Sequence, residues 1–128
     1  MIDHAVTLLL IEDSPLDAFL IRAGLSKAFA AVQLLHVELL QEAVSMFHRN
    51  PIDAILTDLN LPDSFGVETV RALANEVAGT PLIALISNIS PQSEGELLNA
   101  GATGLIRKDK LSAPDLFAAA LEQTLRLR

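Results

Sequence analysis

A doubly wound α/β domain, five parallel strands alternating with five helices, is the architecture this sequence predicts. Three observations predict it. Short apolar runs recur at 6–11, 32–37, 52–57, 81–86 and 103–107. Four of them are nearly unbroken, as strands buried on both faces of a parallel sheet should be. Longer amphipathic stretches with recognisable helix starts lie between them, which is the βαβ alternation.

The elements follow in order. The first strand, 6–11, is continuous Val-Thr-Leu-Leu-Leu-Ile. Ser14-Pro15-Leu16-Asp17 then opens a helix with a capping serine, proline at the first helical position and an acid in the first turn. Leu16, Phe19, Leu20 and Ala23 give that helix an apolar stripe. The second strand, Val-Gln-Leu-Leu-His-Val, is interrupted by polar residues and suits a sheet edge. The second helix covers 39–48, and Asp63 or Ser64 is placed to cap the third. Ser90-Pro91 and Ser112-Ala113-Pro114-Asp115 open the fourth and fifth helices, and Gly101 and Gly104 punctuate the turn into the fifth strand. Met46 and the phenylalanines fall at core-like spacings. The segment 121–128 reads as a helix without a clear cap, so the single domain over 1–128 is either a stand-alone unit or one excised from a longer protein.

Composition narrows the function classes. A chain of 128 residues reads as one domain that buries roughly two thirds of its unfolded surface. The apolar content of 51% excludes a disordered chain. No apolar run approaches the ~20 residues that span a bilayer, and no secretory signal is visible, so no membrane partner is expected. Cysteine is absent, which removes disulfides, thiol catalysis and thiolate metal sites and fits a cytoplasmic protein. The net charge of −7 and the lack of Tyr and Trp argue against direct nucleic-acid binding.

Chemistry concentrates at strand ends, where ligands of open α/β sheets collect. Glu12-Asp13 follow the first run, Asp58 ends the third, Ser87 follows the fourth and Lys108 follows the fifth. Three packed acids stay ionised only beside a compensating cation. Hard oxygens without Cys or clustered His favour Mg²⁺, and the backbone carbonyl of Asn60 is placed to add a ligand. Asp58 is a candidate metal ligand or a candidate nucleophile toward a phosphoryl group, with Lys108 and the Ser87 hydroxyl near its oxygens. Taken singly, each motif has a plainer reading: Glu12-Asp13 or Ser87 as helix caps, Lys108 as a solvated lysine. His4, His36 and His48 are scattered and lack metal-ligand spacing. No phosphate-cradling glycine motif is present.

In order and spacing, "LLLIEDSP", "ILTDLNLPDSFG", "LIALISN" and "GATGLIRKDK" resemble the receiver domain of two-component response regulators, including the chemotaxis receivers, over essentially the whole chain. The resemblance implies a flavodoxin-like (βα)5 fold with strand order 2-1-3-4-5. It implies Asp58 as phosphoacceptor, and Glu12, Asp13, Asp58 and the Asn60 carbonyl as Mg²⁺ ligands. Ser87 would follow the phosphoryl group, and Lys108 would be its charge partner. The implied function is a switch rather than a metabolic enzyme, phosphorylated by a sensor histidine kinase or a histidine phosphotransfer domain. Its implied readout, on an output domain, a downstream protein or a second copy, is the face of the fourth helix, fifth strand and fifth helix. Two positions depart from the family. Asp109 stands where a proline usually follows the lysine, so a trans peptide is expected there. Leu105 stands where Tyr or Phe is common, leaving no ring to couple to Ser87. The "LPDSFG" and "RKD" spellings resemble receivers joined to histidine kinases or cyclic-dinucleotide enzymes. Two rivals remain: a Mg²⁺-dependent aspartyl phosphohydrolase, which would want an acid where Asn60 stands, and an inert interaction module of the same fold.

Overall fold

The computed structural model describes residues 2–126. Five strands, β1 (Val6–Ile11), β2 (Val32–Val37), β3 (Ala54–Asp58), β4 (Leu82–Ile86) and β5 (Gly104–Arg107), form one parallel sheet in the order β2-β1-β3-β4-β5. This is the expected 2-1-3-4-5 arrangement, with β2 at an edge. Helices α1 (Pro15–Ala28), α2 (Leu40–Arg49), α3 (Val67–Glu76), α4 (Pro91–Ala100) and α5 (Pro114–Arg126) fill the connections. The end of the expected terminal helix, Leu127 and Arg128, lies outside the described residues.

The unbroken apolar runs are explained by two cores, one on each face of the sheet. Side chains alternate along a strand, so β1 sends Leu8 and Leu10 into one core and Leu9 and Ile11 into the other. The first core is closed by α1 and α5 through Ile21, Leu25, Phe117 and Leu121. The second holds Ala43 of α2, Val70 and Leu73 of α3, and Leu97 of α4. Full burial of each such leucine contributes roughly 1.5–3 kcal/mol. A polar substitution anywhere in the middle of β1 therefore has no solvent-facing side to escape to.

Several local expectations need correction. The apolar stripe Leu16, Phe19, Leu20, Ala23 is only partly the core face of α1: Leu16 and Phe19 are 66% and 68% exposed, whereas Leu20 packs half-buried against the first core. The buried face is Ala18, Ile21, Gly24, Leu25 and Ala28. Both stripes have helical spacing, and only the sheet beneath decides between them. Phe65 is also exposed, whereas Phe29 and Phe117 are core residues. Ser112 does not cap α5; it ends a 3₁₀ turn over Lys108–Ser112, and its hydroxyl donates to the Asp109 carbonyl. Ser14 and Ser90 do cap α1 and α4, accepting from the Asp17 and Ser93 amides.

The loop after β3 departs furthest from expectation. Asn60–Leu61 and Ser64–Phe65 form a two-residue antiparallel ribbon that the sequence did not announce. Gly66 rather than Asp63 or Ser64 caps α3, with φ at 64°, where a side chain would be strained. Asp63 instead reaches the start of α2, accepting from the Leu40 and Gln41 amides at 2.8 and 3.0 Å. It thus satisfies two open N–H groups of a helix that its own sequence neighbourhood does not contain. Asp63→Ala should cost about 1 kcal/mol in urea unfolding. Faster amide exchange at Leu40 and Gln41 should accompany the loss.

Candidate functional site

Strand register brings the sequence-distant candidates together. Ile11 pairs with Thr57, Asp58 with Leu85, and Ile86 with Arg107. Glu12, Asp58, Ser87 and Lys108 consequently leave the sheet at the same edge. Carboxylate oxygens of Glu12, Asp13 and Asp58 lie within 4.8 Å of one another. The Glu12 side chain is fully buried, and that of Asp58 is 11% exposed. Lys108 Nζ lies 3.2 Å from both Glu12 Oε1 and Asp58 Oδ1. Ser87 is exposed at the end of β4 and, with Asp58, Asn60 and Phe65, lines a cavity of about 430 Å³.

Two residues of this neighbourhood went unrecognised in the sequence. Asp17, read only as a first-turn acid of α1, makes the shortest contact to Lys108, 2.7 Å from its Nζ. Its position was the available signal: it lies in the first turn of α1, directly after the strand end that carries Glu12 and Asp13. His36 sits 2.8 Å from the backbone carbonyl of Glu12 through Nε2, and 3.4 Å from Arg22 Nη2 through Nδ1. A carbonyl only accepts, so the Nε2–H of His36 donates to the Glu12 carbonyl. It steadies the backbone beneath the acidic pair. No sequence spacing pointed to it, because the pairing of β1 with β2 creates the contact.

The match with the response regulator receiver domain model extends over residues 8–121. The chain belongs to that family. This receiver domain is 32% identical over 117 residues to the aerobic respiration control sensor protein ArcB of Escherichia coli, covering 89% of this chain and 14% of that protein. It is 25% identical over 107 residues to the response regulator UvrY of the same species, covering 80% of this chain and 47% of that one. The chain thus spans less than half the length of either relative. Chemotaxis protein CheY4 of Vibrio cholerae has the same fold, with a TM-score of 0.80, 24% identity and coverage of 94% and 99%.

The receiver's acidic cluster has the electrostatics of a cation site. Burial pushes the Glu12 carboxyl up to about 7, with the Asp58 charge adding to the rise while the Ser14 amide and Lys108 oppose it. Burial alone would lower the Lys108 ammonium, but the hydrogen bond to Asp17 and the charges of Asp58 and Glu12 outweigh it and hold the group above its ordinary range. Glu12 Oε1 is buried without a hydrogen-bond donor in good geometry, although Glu12 Oε2 accepts from the Ser14 amide at 3.1 Å. Such an oxygen suits a metal ligand, so the residues present fit a divalent cation.

That burial sets a pH dependence. The native state holds the Glu12 proton up to about pH 7, whereas the unfolded chain releases it near 4.5. Between those values the native state binds more protons, so stability falls as pH rises. Melting of the metal-free receiver from pH 5 to 7.5 should show this decline, and Glu12→Gln should flatten it.

The two departures from the family pattern are visible too. Asp109 lies in the 3₁₀ turn, 3.2 Å from Arg107 Nε, and no cis peptide bond occurs among the described residues. Leu105 pairs with Ala84 and packs, half-buried, against the second core. Among the described residues no helix is long and apolar enough to cross a membrane.

Proposed function

We propose that this chain is a phospho-accepting switch in which Asp58 receives a phosphoryl group from a phosphohistidine on a sensor kinase or phosphotransfer domain in the cytoplasm. The observation that carries the reading is one carboxylate at the end of β3 with two acids within 4.8 Å and an ammonium at 3.2 Å. An Asp58 oxygen attacks phosphorus, the P–N bond breaks, and the leaving imidazole keeps the electron pair and takes up a proton. Mg²⁺, held by Glu12, Asp13, Asp58 and the Asn60 carbonyl, would supply neutralising charge at the phosphoryl oxygens. Lys108 neutralises a further oxygen, and Ser87, across the same cavity, donates its hydroxyl to another. In a separate hydrolytic step water attacks phosphorus and Asp58 leaves as a carboxylate, releasing phosphate. Asn60 and Ile89 flank the cavity that this water crosses. The chain thus assists its own phosphorylation without acting on a metabolic substrate.

The readout is the face of α4, β5 and α5, engaging an output domain, a downstream protein or a second copy, without direct nucleic-acid or membrane contact. Leu105 can shift there but carries no ring, so the response rests more on the Ser87 and Lys108 loops. Support for an attached setting comes from ArcB, a sensor protein of which the matching part is a small fraction.

Acetyl phosphate with Mg²⁺, read by intact mass, tests the proposal. One phosphoryl adduct, removed by hydroxylamine and blocked by a chelator, is expected. Phosphate release without an accumulating adduct would instead mark a phosphohydrolase. Neither signal would mark an inert module.

A further inference from the structure

Lys108 is contested by three carboxylates, and the one outside the metal cluster holds it most closely. Its Nζ is hydrogen-bonded to Asp17 Oδ2 at 2.7 Å, against 3.2 Å to each of Glu12 and Asp58. The pair is well shielded, with side chains 20% and 26% exposed. Asp17 is itself fixed, because its amide donates to Ser14 Oγ and Pro15 sets the first turn of α1. The contact spans 91 residues and joins α1 to the turn after β5.

We infer that Asp17 is a positioning residue that holds Lys108 in reserve and competes with the phosphoryl group for its ammonium. The inference rests on the receiver reading and adds a regulator to that site. An ammonium has three donors, but it is a compact point charge and sits where the negative potential is deepest. In the resting protein Asp17 draws that position toward α1 and away from Glu12 and Asp58. A phosphoryl group on Asp58 brings roughly two negative charges and three acceptor oxygens. Full engagement of Lys108 with it then weakens the Asp17 bond. The same exchange loosens the tie between α1 and the turn over Lys108–Ser112, so phosphorylation is reported on the α1 side of the molecule as well.

Beryllium trifluoride, which becomes a tetrahedral acyl-phosphate mimic once a carboxylate oxygen binds it, tests this in the presence of Mg²⁺ by calorimetric titration. Asp17→Asn preserves size and should bind the analogue roughly three- to tenfold more tightly than the unmodified protein, because the charge-assisted competitor is gone. In a Lys108→Met background the same change should alter affinity less than about twofold, since the competition acts through the ammonium. Thermal melts confirm that each variant is folded. Unchanged or weaker binding by Asp17→Asn overturns the inference, as does an equal gain in the Lys108→Met background, which would reveal only a general loss of negative charge. If the unmodified protein does not bind the analogue, the receiver reading itself fails and the inference falls with it.

Discussion

Asp58→Asn is expected to abolish phosphoryl uptake and, in the same molecule, to raise the stability of the metal-free protein. Amide nitrogen and oxygen cannot form the acyl phosphate, so the functional loss should be complete. The stability gain follows from charge counting. Glu12, Asp17 and Asp58 surround one ammonium, Asp13 adds a further charge beside Glu12 and Asp58, and Asp17 already holds the ammonium most closely. Removing the Asp58 charge relieves its repulsion with Glu12 and Asp13, while Asn keeps the oxygen that accepts from the Leu59 amide at 2.8 Å. A gain of about 1–2 kcal/mol is expected from charges this close in a partly shielded site. Urea unfolding with chelator present measures it. Saturating Mg²⁺ should narrow the gap by stabilising the unmodified protein more. A destabilised Asp58→Asn protein would mean that the Lys108–Asp58 attraction outweighs the repulsion among the acids.

Gly24→Ala is expected to destabilise the fold even though alanine favours a helix over glycine by about 1 kcal/mol. A β-carbon at Gly24 would stand 2.2 Å from Cδ2 of Phe117, a fully buried ring. The Phe117 ring of α5 fills the space a methyl at Gly24 of α1 would take. Overpacking of this kind costs about 1–3 kcal/mol. Phe117→Leu in the Gly24→Ala background should recover part of the loss, because the branched side chain vacates the ring edge. Unfolding free energies of the two single variants and the double variant measure the coupling. A stabilised Gly24→Ala protein would contradict the packing described here.

The sheet was legible because its signal is local and redundant. Each buried strand is an apolar run, and the run ends announce the edge at which Glu12, Asp58, Ser87 and Lys108 emerge. The face of α1 was not legible. Leu16 and Phe19 satisfy helical spacing as well as Ile21 and Leu25 do, and periodicity alone carries no information about which stripe meets the sheet. Asp63 was misplaced for a related reason. Capping rules look a few residues downstream, whereas Asp63 caps α2, which lies upstream in sequence and beside it only in space. Asp17 and His36 belong to the site through long-range contacts, one across 91 residues and one across neighbouring strands. Residue type and strand-end position led to the residues the sheet gathers at one edge; Asp17 and His36, which contact them from elsewhere, carry no such mark.

Locating the phosphoryl group decides whether Asp58 is the residue that carries it. After incubation with acetyl phosphate and Mg²⁺, borohydride reduction converts an aspartyl phosphate to homoserine, and peptide mass mapping finds that residue. Homoserine is expected at position 58 alone. Homoserine at position 13 or 17 instead, or none despite a phosphorylated protein, would contradict it.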